Sequence, residues 1–233
     1  MEIHRIEGVV RETRDLSRTA REVTLKLSQP LPYTPGAFVN VFFEKEGKRI
    51  RRAYTIASGN TAHDSLTLAI RNSGPEGASH LFFCSDVDGM PVSVMGPLGI
   101  NTAEKITRPR VFLFAFGIGV SAARGLAEHL LLRPELVELT IVTGSRTEDE
   151  ILYKEYFETL ALRDPRVRVR FVVSRPTNSQ YPYQGYIQDH VSDLDFSNAT
   201  AYLCGQGSAC ETLRHEIRAM APDTEFLIES FDS

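Results

Sequence analysis

A chain of 233 residues is long enough for one large domain or two of ordinary size, and 42% hydrophobic with 24% charged residues provides enough apolar material for a real core. The formal net charge of −4 leaves no global basic field of the kind that holds nucleic acid, so no nucleic-acid partner is expected. Cys84, Cys204 and Cys210 form an odd, sparse set without a CxxC pair, and the six histidines show no HExxH spacing, so reduced thiols, a cytoplasmic location and no metal site are expected.

The chain starts Met1-Glu2-Ile3-His4-Arg5, charged and short of apolar residues, which does not read as a signal peptide. Ile3 to Val10 and Val23 to Leu27 alternate apolar and polar residues, the pattern of half-buried strands. Pro30, Pro32, Pro35 and Gly36 punctuate, and Ala37 to Phe43 reads as the next strand. A charged turn with Gly47 leads into a strand from Ile50 to Ala57; Leu66 to Ile70 and Pro91 to Met95 complete the set. Many short strands separated by turn signals predict a barrel or sandwich over residues 1–100. A polar run, 101–109, ends in proline and reads as a linker.

From residue 110 to 233 the pattern changes to strands alternating with helices, which predicts a parallel sheet. Val111 to Ala115 is a continuous apolar strand, followed by a glycine turn and a helix from about Ser121 to Leu132. Gly117, Gly119, Arg124, Glu128 and His129 interrupt this apolar stretch, so no membrane span is expected there. Strands at Leu139–Thr143, Val167–Val173, Ala201–Cys204 and Phe226–Ile228 alternate with helices at Glu150–Leu162 and Ala209–Met220.

Three motifs carry chemistry. Arg52-Ala53-Tyr54-Thr55 combines a permanent cation, a flat aromatic ring and a hydroxyl within four residues, the groups that would meet a phosphate, a ring and a heteroatom; an alternating strand is the plainer reading. Gly117-Ile118-Gly119-Val120-Ser121-Ala122 follows a buried strand and opens a helix, the context in which glycines admit a pyrophosphate to a helix N-terminus; a tight structural turn is the alternative. The acidic ribose ligand usual about 20 residues on is not evident: Glu135 and Glu138 lie close, and solvated loop positions are expected for both. Cys204-Gly205-Gln206-Gly207 ends another strand and should line the same crevice, although a small buried cysteine is the plainer reading of Cys204.

In this order the pieces resemble the ferredoxin–NADP⁺ reductase superfamily over nearly the whole chain. The resemblance implies an N-terminal antiparallel β-barrel that binds FAD and a C-terminal α/β parallel-sheet domain that binds NADPH or NADH. Arg52, Tyr54 and Thr55 match the flavin motif Arg-x-Tyr-Ser/Thr: Arg52 would hold the pyrophosphate, Tyr54 would lie on the flavin, and Thr55 would hydrogen-bond its N5. Gly77-Ala78-Ser79 is similar to a phosphate-binding turn, one residue shorter than usual, and Ile70 and Arg71 stand on the strand beside the flavin. Pro35-Gly36-Ala37-Phe38 and Gly96-Pro97-Leu98-Gly99 match two further barrel elements. Gly117 and Gly119, with Ile118, Val120 and Ser121, match the nucleotide turn; Ala122 replaces its proline, and Phe116, where a small residue is common, is expected to narrow the pyrophosphate path. Cys204-Gly205 would flank the nicotinamide, and Glu229-Ser230-Phe231 resembles a Glu-x-Phe ending near the flavin. Ser174-Arg175 resembles a pair that binds the adenosine 2′-phosphate and Tyr186 a tyrosine that stacks on adenine, which favours NADPH; Arg146, after another strand, could also approach the nucleotide.

The implied activity is hydride transfer from NAD(P)H to flavin, with Thr55, Cys204 and Glu229 at the reacting rings, and electrons passed to an external acceptor. Ferredoxin or flavodoxin is expected, and the basic run Lys48-Arg49-Ile50-Arg51-Arg52 would steer such an acidic partner or is simply a solvated hairpin. The alternatives are free flavin, an oxygenase component, or a non-catalytic flavin-binding electron-transfer subunit.

Overall fold

The computed structural model describes residues 2–59, 64–84 and 86–231. The alternating segments form β1 (His4–Asp15), β2 (Ala20–Leu27), β3 (Phe38–Lys45), β4 (Lys48–Thr55), β5 (Ser65–Arg71) and β6 (Pro91–Leu98), with a one-turn helix α1 (Leu81–Cys84) before β6. They make one antiparallel sheet in the order β4-β3-β6-β1-β2-β5. The sheet curls until its edges meet: just past β4, Ile56 bridges Leu68, and the Ala57 amide donates to the Thr67 carbonyl at 2.7 Å. The inward set, among them Val10, Val23, Leu25, Val41 and Leu68, is fully buried, and Phe82 of α1 plugs the barrel edge-on to Phe43, ring centroids 5.2 Å apart.

The second half forms β7 (Arg110–Phe116), α2 (Val120–Leu130), β8 (Glu138–Ser145), α3 (Lys154–Arg163), β9 (Val167–Val173), β10 (Ala199–Gln206), α4 (Gly207–Met220) and β11 (Glu225–Phe231). Its five strands are all parallel, in the order β11-β10-β7-β8-β9. From β7 the chain winds outward through β8 and β9, then returns to place β10 on the other side of β7. That reversal opens a crevice at the carboxyl ends of β7 and β10, where ligands gather in sheets of this kind. The apolar stretch 111–132 is therefore strand, turn and amphipathic helix; among the described residues no helix is long and apolar enough to cross a membrane.

Two element boundaries differ from the sequence reading. The helix expected from Glu150 begins only at Lys154: Glu148–Glu150 is a single 3₁₀ turn, and Tyr153 breaks the path with a left-handed φ of 56°. Ile151 and Leu152 are buried, but through that turn rather than on a helix face. The last strand is longer than expected and carries Glu229 and Phe231 alongside Cys204 and Gln206 of β10. The segment read as a linker is well packed, with Thr102, Ala103 and Ile106 buried, and Asn101 Nδ2 donating to the Ile228 carbonyl at 2.8 Å. Cys204 and Cys210 are buried free thiols; the Cys84 side chain lies outside the described residues.

Candidate functional site

The glycine turn and the cysteine turn pack against each other as the topology requires. A Cβ on Gly119 would stand 2.2 Å from the Cys204 carbonyl oxygen, and one on Gly205, whose φ is +146°, would stand 2.6 Å from Cβ of Phe116. Both contacts are with atoms that cannot swing aside, so only glycine allows the β7–α2 turn and the end of β10 to come this close. Residues 117–119 form a 3₁₀ turn that runs straight into α2, and the Val120 amide is already spent on the Gly117 carbonyl, so an anion here would meet the amides of the turn itself rather than those of α2's first turn.

Across the crevice stands the end of β4. A cavity of about 410 Å³ is lined from the barrel by Phe38, Ala53, Tyr54, Thr55, Ala69 and Arg71, and from the parallel domain by Ile118, Ser121, Glu229, Ser230 and Phe231. A slightly smaller cavity, about 340 Å³, lies at the opposite, amino end of the parallel strands among Arg110, Arg168 and Arg170, but Glu138, Asp193 and Asp195 already pair those cations. Tyr54 lines the first cavity and packs on the barrel core; its hydroxyl is buried out of reach of solvent without a hydrogen-bond partner, and burial raises its pKa well above the ordinary phenol value. Arg71 links the two walls: a Cβ on Gly117 would lie 3.9 Å from its Nη1. Burial also raises the pKa of Glu229, opposed by the hydrogen bond from Asn101 Nδ2 to its Oε2 at 3.2 Å.

Of the sequence-predicted residues, Ala53, Tyr54, Thr55, Arg71, Ile118, Ser121, Glu229 and Phe231 line this cavity; others lie elsewhere. Arg52 and Ala53 are exposed on the edge strand β4, and Arg52 donates to the Arg51 carbonyl at 2.8 Å. Ile70 points into the barrel core and is buried. Gly77, Ala78 and Ser79 form a turn at the end of β5, held to β3 by Lys45 Nζ on the Gly77 carbonyl at 3.2 Å. The Ser79 hydroxyl is engaged within that turn, donating to the Arg71 carbonyl at 2.8 Å and lying 2.7 Å from Ser73 Oγ. Cys204 does not line the cavity: it is buried beside Glu229 in the strand register, and burial together with that carboxylate pushes its thiol pKa up. Phe116 does not narrow the crevice, because its side chain packs with the core on the α4 side of the sheet. Val120 is buried in the first turn of α2.

Farther along the strand ends, the Arg175 amide donates to the Arg146 carbonyl at 2.7 Å and the Ser174 amide to the Ser145 carbonyl at 3.0 Å, which sets Arg146 and Arg175 side by side. Sequence reasoning missed Glu148, which fastens the following loop by accepting from the Thr177 and Asn178 amides at 3.0 Å each; those bonds hold its pKa at about 2. Tyr186 is 63% exposed at the start of the next 3₁₀ turn. Glu135 pairs with Arg133 in an exposed loop, as expected, but Glu138 is not solvated: it accepts from Arg110 at 3.2 Å at the amino end of β8, away from the crevice.

The family model for oxidoreductase FAD-binding domains matches residues 7–102, and that for oxidoreductase NAD-binding domains matches residues 113–214. Ferredoxin–NADP reductase B of Sorangium cellulosum is 29% identical over 78% of this chain and 75% of its own length. The reductase component of phenol 2-monooxygenase from Pseudomonas sp. strain CF600 is 27% identical over 85% of this chain, which spans 57% of that relative. Among solved structures, a cytochrome P450 reductase of Amycolatopsis superposes with a TM-score of 0.87 at 24% identity, covering 99% of this chain and 71% of that one. A ferredoxin NADP⁺ reductase from Neisseria gonorrhoeae with bound FAD and NADP superposes with a TM-score of 0.83 at 14% identity over 99% of each chain.

Proposed function

The chain belongs to the ferredoxin–NADP⁺ reductase superfamily, and we propose on that footing that it is an NAD(P)H-dependent flavoprotein reductase serving an external electron acceptor. The observation that carries this reading is the single cavity in which Tyr54 and Thr55 of the barrel face Ile118, Ser121 and Glu229 of the parallel domain. Hydride transfer needs two rings stacked within about 3–3.5 Å, and a crevice walled by both domains is where such a pair can be held.

The residues present fit FAD. Tyr54 and Phe231 offer aromatic rings, and Arg52, Arg71 and the turn after β5, through its Ala78 and Ser79 amides, offer cations and donors beside them; the Gly77 amide is already spent on the Gly74 carbonyl. When bound, FAD supplies the two-electron acceptor for NAD(P)H and the means of passing electrons onward. Thr55 presents one hydroxyl to the cavity and orients the ring nitrogen that it meets. The β7–α2 turn binds the nicotinamide nucleotide's pyrophosphate through its amides, while Arg146 and Arg175 at the ends of β8 and β9 receive the adenosine 2′-phosphate and favour NADPH. Glu229, held by Asn101, stands where it can orient the nicotinamide or carry a proton. Cys204 acts as packing beneath Glu229.

The acceptor is a ferredoxin, a flavodoxin or an oxygenase component. Curated relatives include both a ferredoxin–NADP reductase and reductase components of oxygenases, and the chain is shorter than all of these. The test is Thr55→Ala. Losing one hydrogen bond worth about 1 kcal/mol should slow anaerobic flavin reduction by NADPH roughly fivefold to tenfold, with FAD still bound. Reduction at the wild-type rate in a stopped-flow trace would remove Thr55 from the site.

A further inference from the structure

Helix α2 starts at the nucleotide turn, and five residues after Gly119 its side chains grip the strand that carries the flavin motif. Arg124 Nη1 donates to the Ala57 carbonyl at 2.6 Å, two residues past Thr55. One turn on, Glu128 Oε2 accepts from the Gly59 amide at 2.6 Å, and its Oε1 accepts from the Tyr156 hydroxyl of α3 at 3.1 Å. The Arg124 guanidinium lies 5.3 Å and 5.0 Å from the ring centroids of Tyr153 and Tyr156. On the barrel side, the Tyr33 hydroxyl donates to the Gly59 carbonyl at 2.7 Å, and the Ala57 amide is tied to Thr67. Between Arg124 and Glu128, Gly125 lies so close to the barrel that a Cβ there would meet the Ile56 and Ser58 carbonyl oxygens at 3.0 and 3.1 Å. A charged hydrogen bond, a second from the opposite charge and a close backbone approach all join the same two segments, and each segment also borders the crevice.

We propose that Arg124, Gly125 and Glu128 form an interdomain clamp that sets the separation of Thr55 from the 117–119 turn, and so the approach of the nicotinamide to the flavin. The clamp rests on the hydride-transfer reading above. These are positioning residues; none of them lines the cavity. Charge-assisted hydrogen bonds are about twice as strong as neutral ones, and arginine's planar fork and ring stacking are not reproduced by lysine. A displacement of about 1 Å far from the reacting atoms can lower a transfer rate roughly 10²-fold.

Two variants test it from different directions. Arg124→Lys keeps the charge but loses the fork and both ring contacts. Gly125→Ala keeps every polar contact and improves helix propensity, but puts a methyl against two backbone carbonyls. Each is loaded with FAD and mixed anaerobically with NADPH and with NADH in a stopped-flow instrument, and nucleotide affinity is measured separately by titration with the oxidised nucleotide. Amide exchange at Gly59 is followed in the flavin-free chain.

The clamp predicts retained flavin, a limiting reduction rate lower by about 10- to 100-fold in both variants and a nucleotide Kd changed by less than about threefold. It also predicts Gly59 exchange at least about tenfold faster in Arg124→Lys, an opening costing about 1.4 kcal/mol less. Wild-type limiting rates in both variants overturn it. A rate loss matched by an equal loss of nucleotide affinity also overturns it, since the residues would then serve binding. Failure of the hydride reading itself shows earlier and separately, as wild-type protein that neither nucleotide reduces, and it removes the clamp's catalytic role as well.

Discussion

Glu229 is the residue at which geometry and ionisation meet. Its carboxyl sits in the cavity wall, half-buried, with Asn101 as its hydrogen-bond partner and the Cys204 thiol behind it. Burial raises its pKa above the ordinary carboxylate value. The folded state therefore favours the protonated form: the contribution to stability is full below the unfolded-state pKa and declines as pH rises through the folded-state value. Glu229→Gln keeps an acceptor for Asn101 but cannot ionise. It should match wild type in thermal melts near pH 4 and melt higher near pH 7, by no more than the roughly 2–4 °C that 1 kcal/mol gives in a chain of this size. A lower melting temperature at pH 7 would mean that the carboxylate is stabilised by a partner and that the burial argument is wrong. If Glu229 also orients the nicotinamide, the same substitution slows flavin reduction while leaving the flavin in place.

At the scale of elements, the β3–β4 hairpin carries the densest basic charge in the chain. Residues 44–52 carry five cations, Lys45, Lys48, Arg49, Arg51 and Arg52, against two carboxylates, Glu44 and Glu46. Its tip is made by Glu46 and Gly47 at positive φ, 53° and 71°, and Phe42 is covered by the Arg49 and Arg5 guanidinium groups at 5.0 and 4.9 Å from its ring centroid. The hairpin thus carries cations on both faces of the edge strand that also bears Tyr54 and Thr55, Lys48 and Arg52 on one and Arg49 and Arg51 on the other. Lys48→Glu with Arg49→Glu should slow association with an acidic acceptor at least about tenfold at low salt, with the difference shrinking as ionic strength rises. An unchanged rate and salt dependence would leave the hairpin a solvated turn.

The elements themselves were largely legible, because strand alternation and the strand–turn–helix context of Gly117 and Gly119 are local patterns. Tyr153 was not: a left-handed tyrosine has no sequence signal, and the apolar spacing of Ile151, Leu152 and Tyr156 mimics a helix. The roles of Phe38 and Ala69 in the cavity wall depend on register, since Phe38 faces Thr55 across the β3–β4 ladder, and register between strands is only fixed by the closed barrel. Glu148 escaped notice, and Arg124 and Glu128 were legible only as charges interrupting an apolar stretch, for another reason. Their partners are backbone carbonyls and amides distant in the chain, and a backbone group leaves no mark in the sequence.

For the whole molecule, the account turns on two domains sharing one reaction site. The barrel alone could hold a flavin and the parallel domain alone a nucleotide, and neither property would require Thr55, Ile118 and Glu229 to line a common cavity of about 410 Å³. Hydride transfer between the two would require it. The paired Arg146 and Arg175 at the far end of the crevice further predict that NADPH is the better donor. The most direct measurement is an anaerobic visible-absorbance titration of the FAD-loaded protein, with NADPH and NADH in parallel. The account predicts that the oxidised flavin band is lost at one equivalent of NADPH per flavin, and that NADH achieves the same loss more slowly. A flavin that stays bound and fully oxidised with both nucleotides would contradict the shared site and identify a flavin-binding subunit that does not use nicotinamide nucleotides.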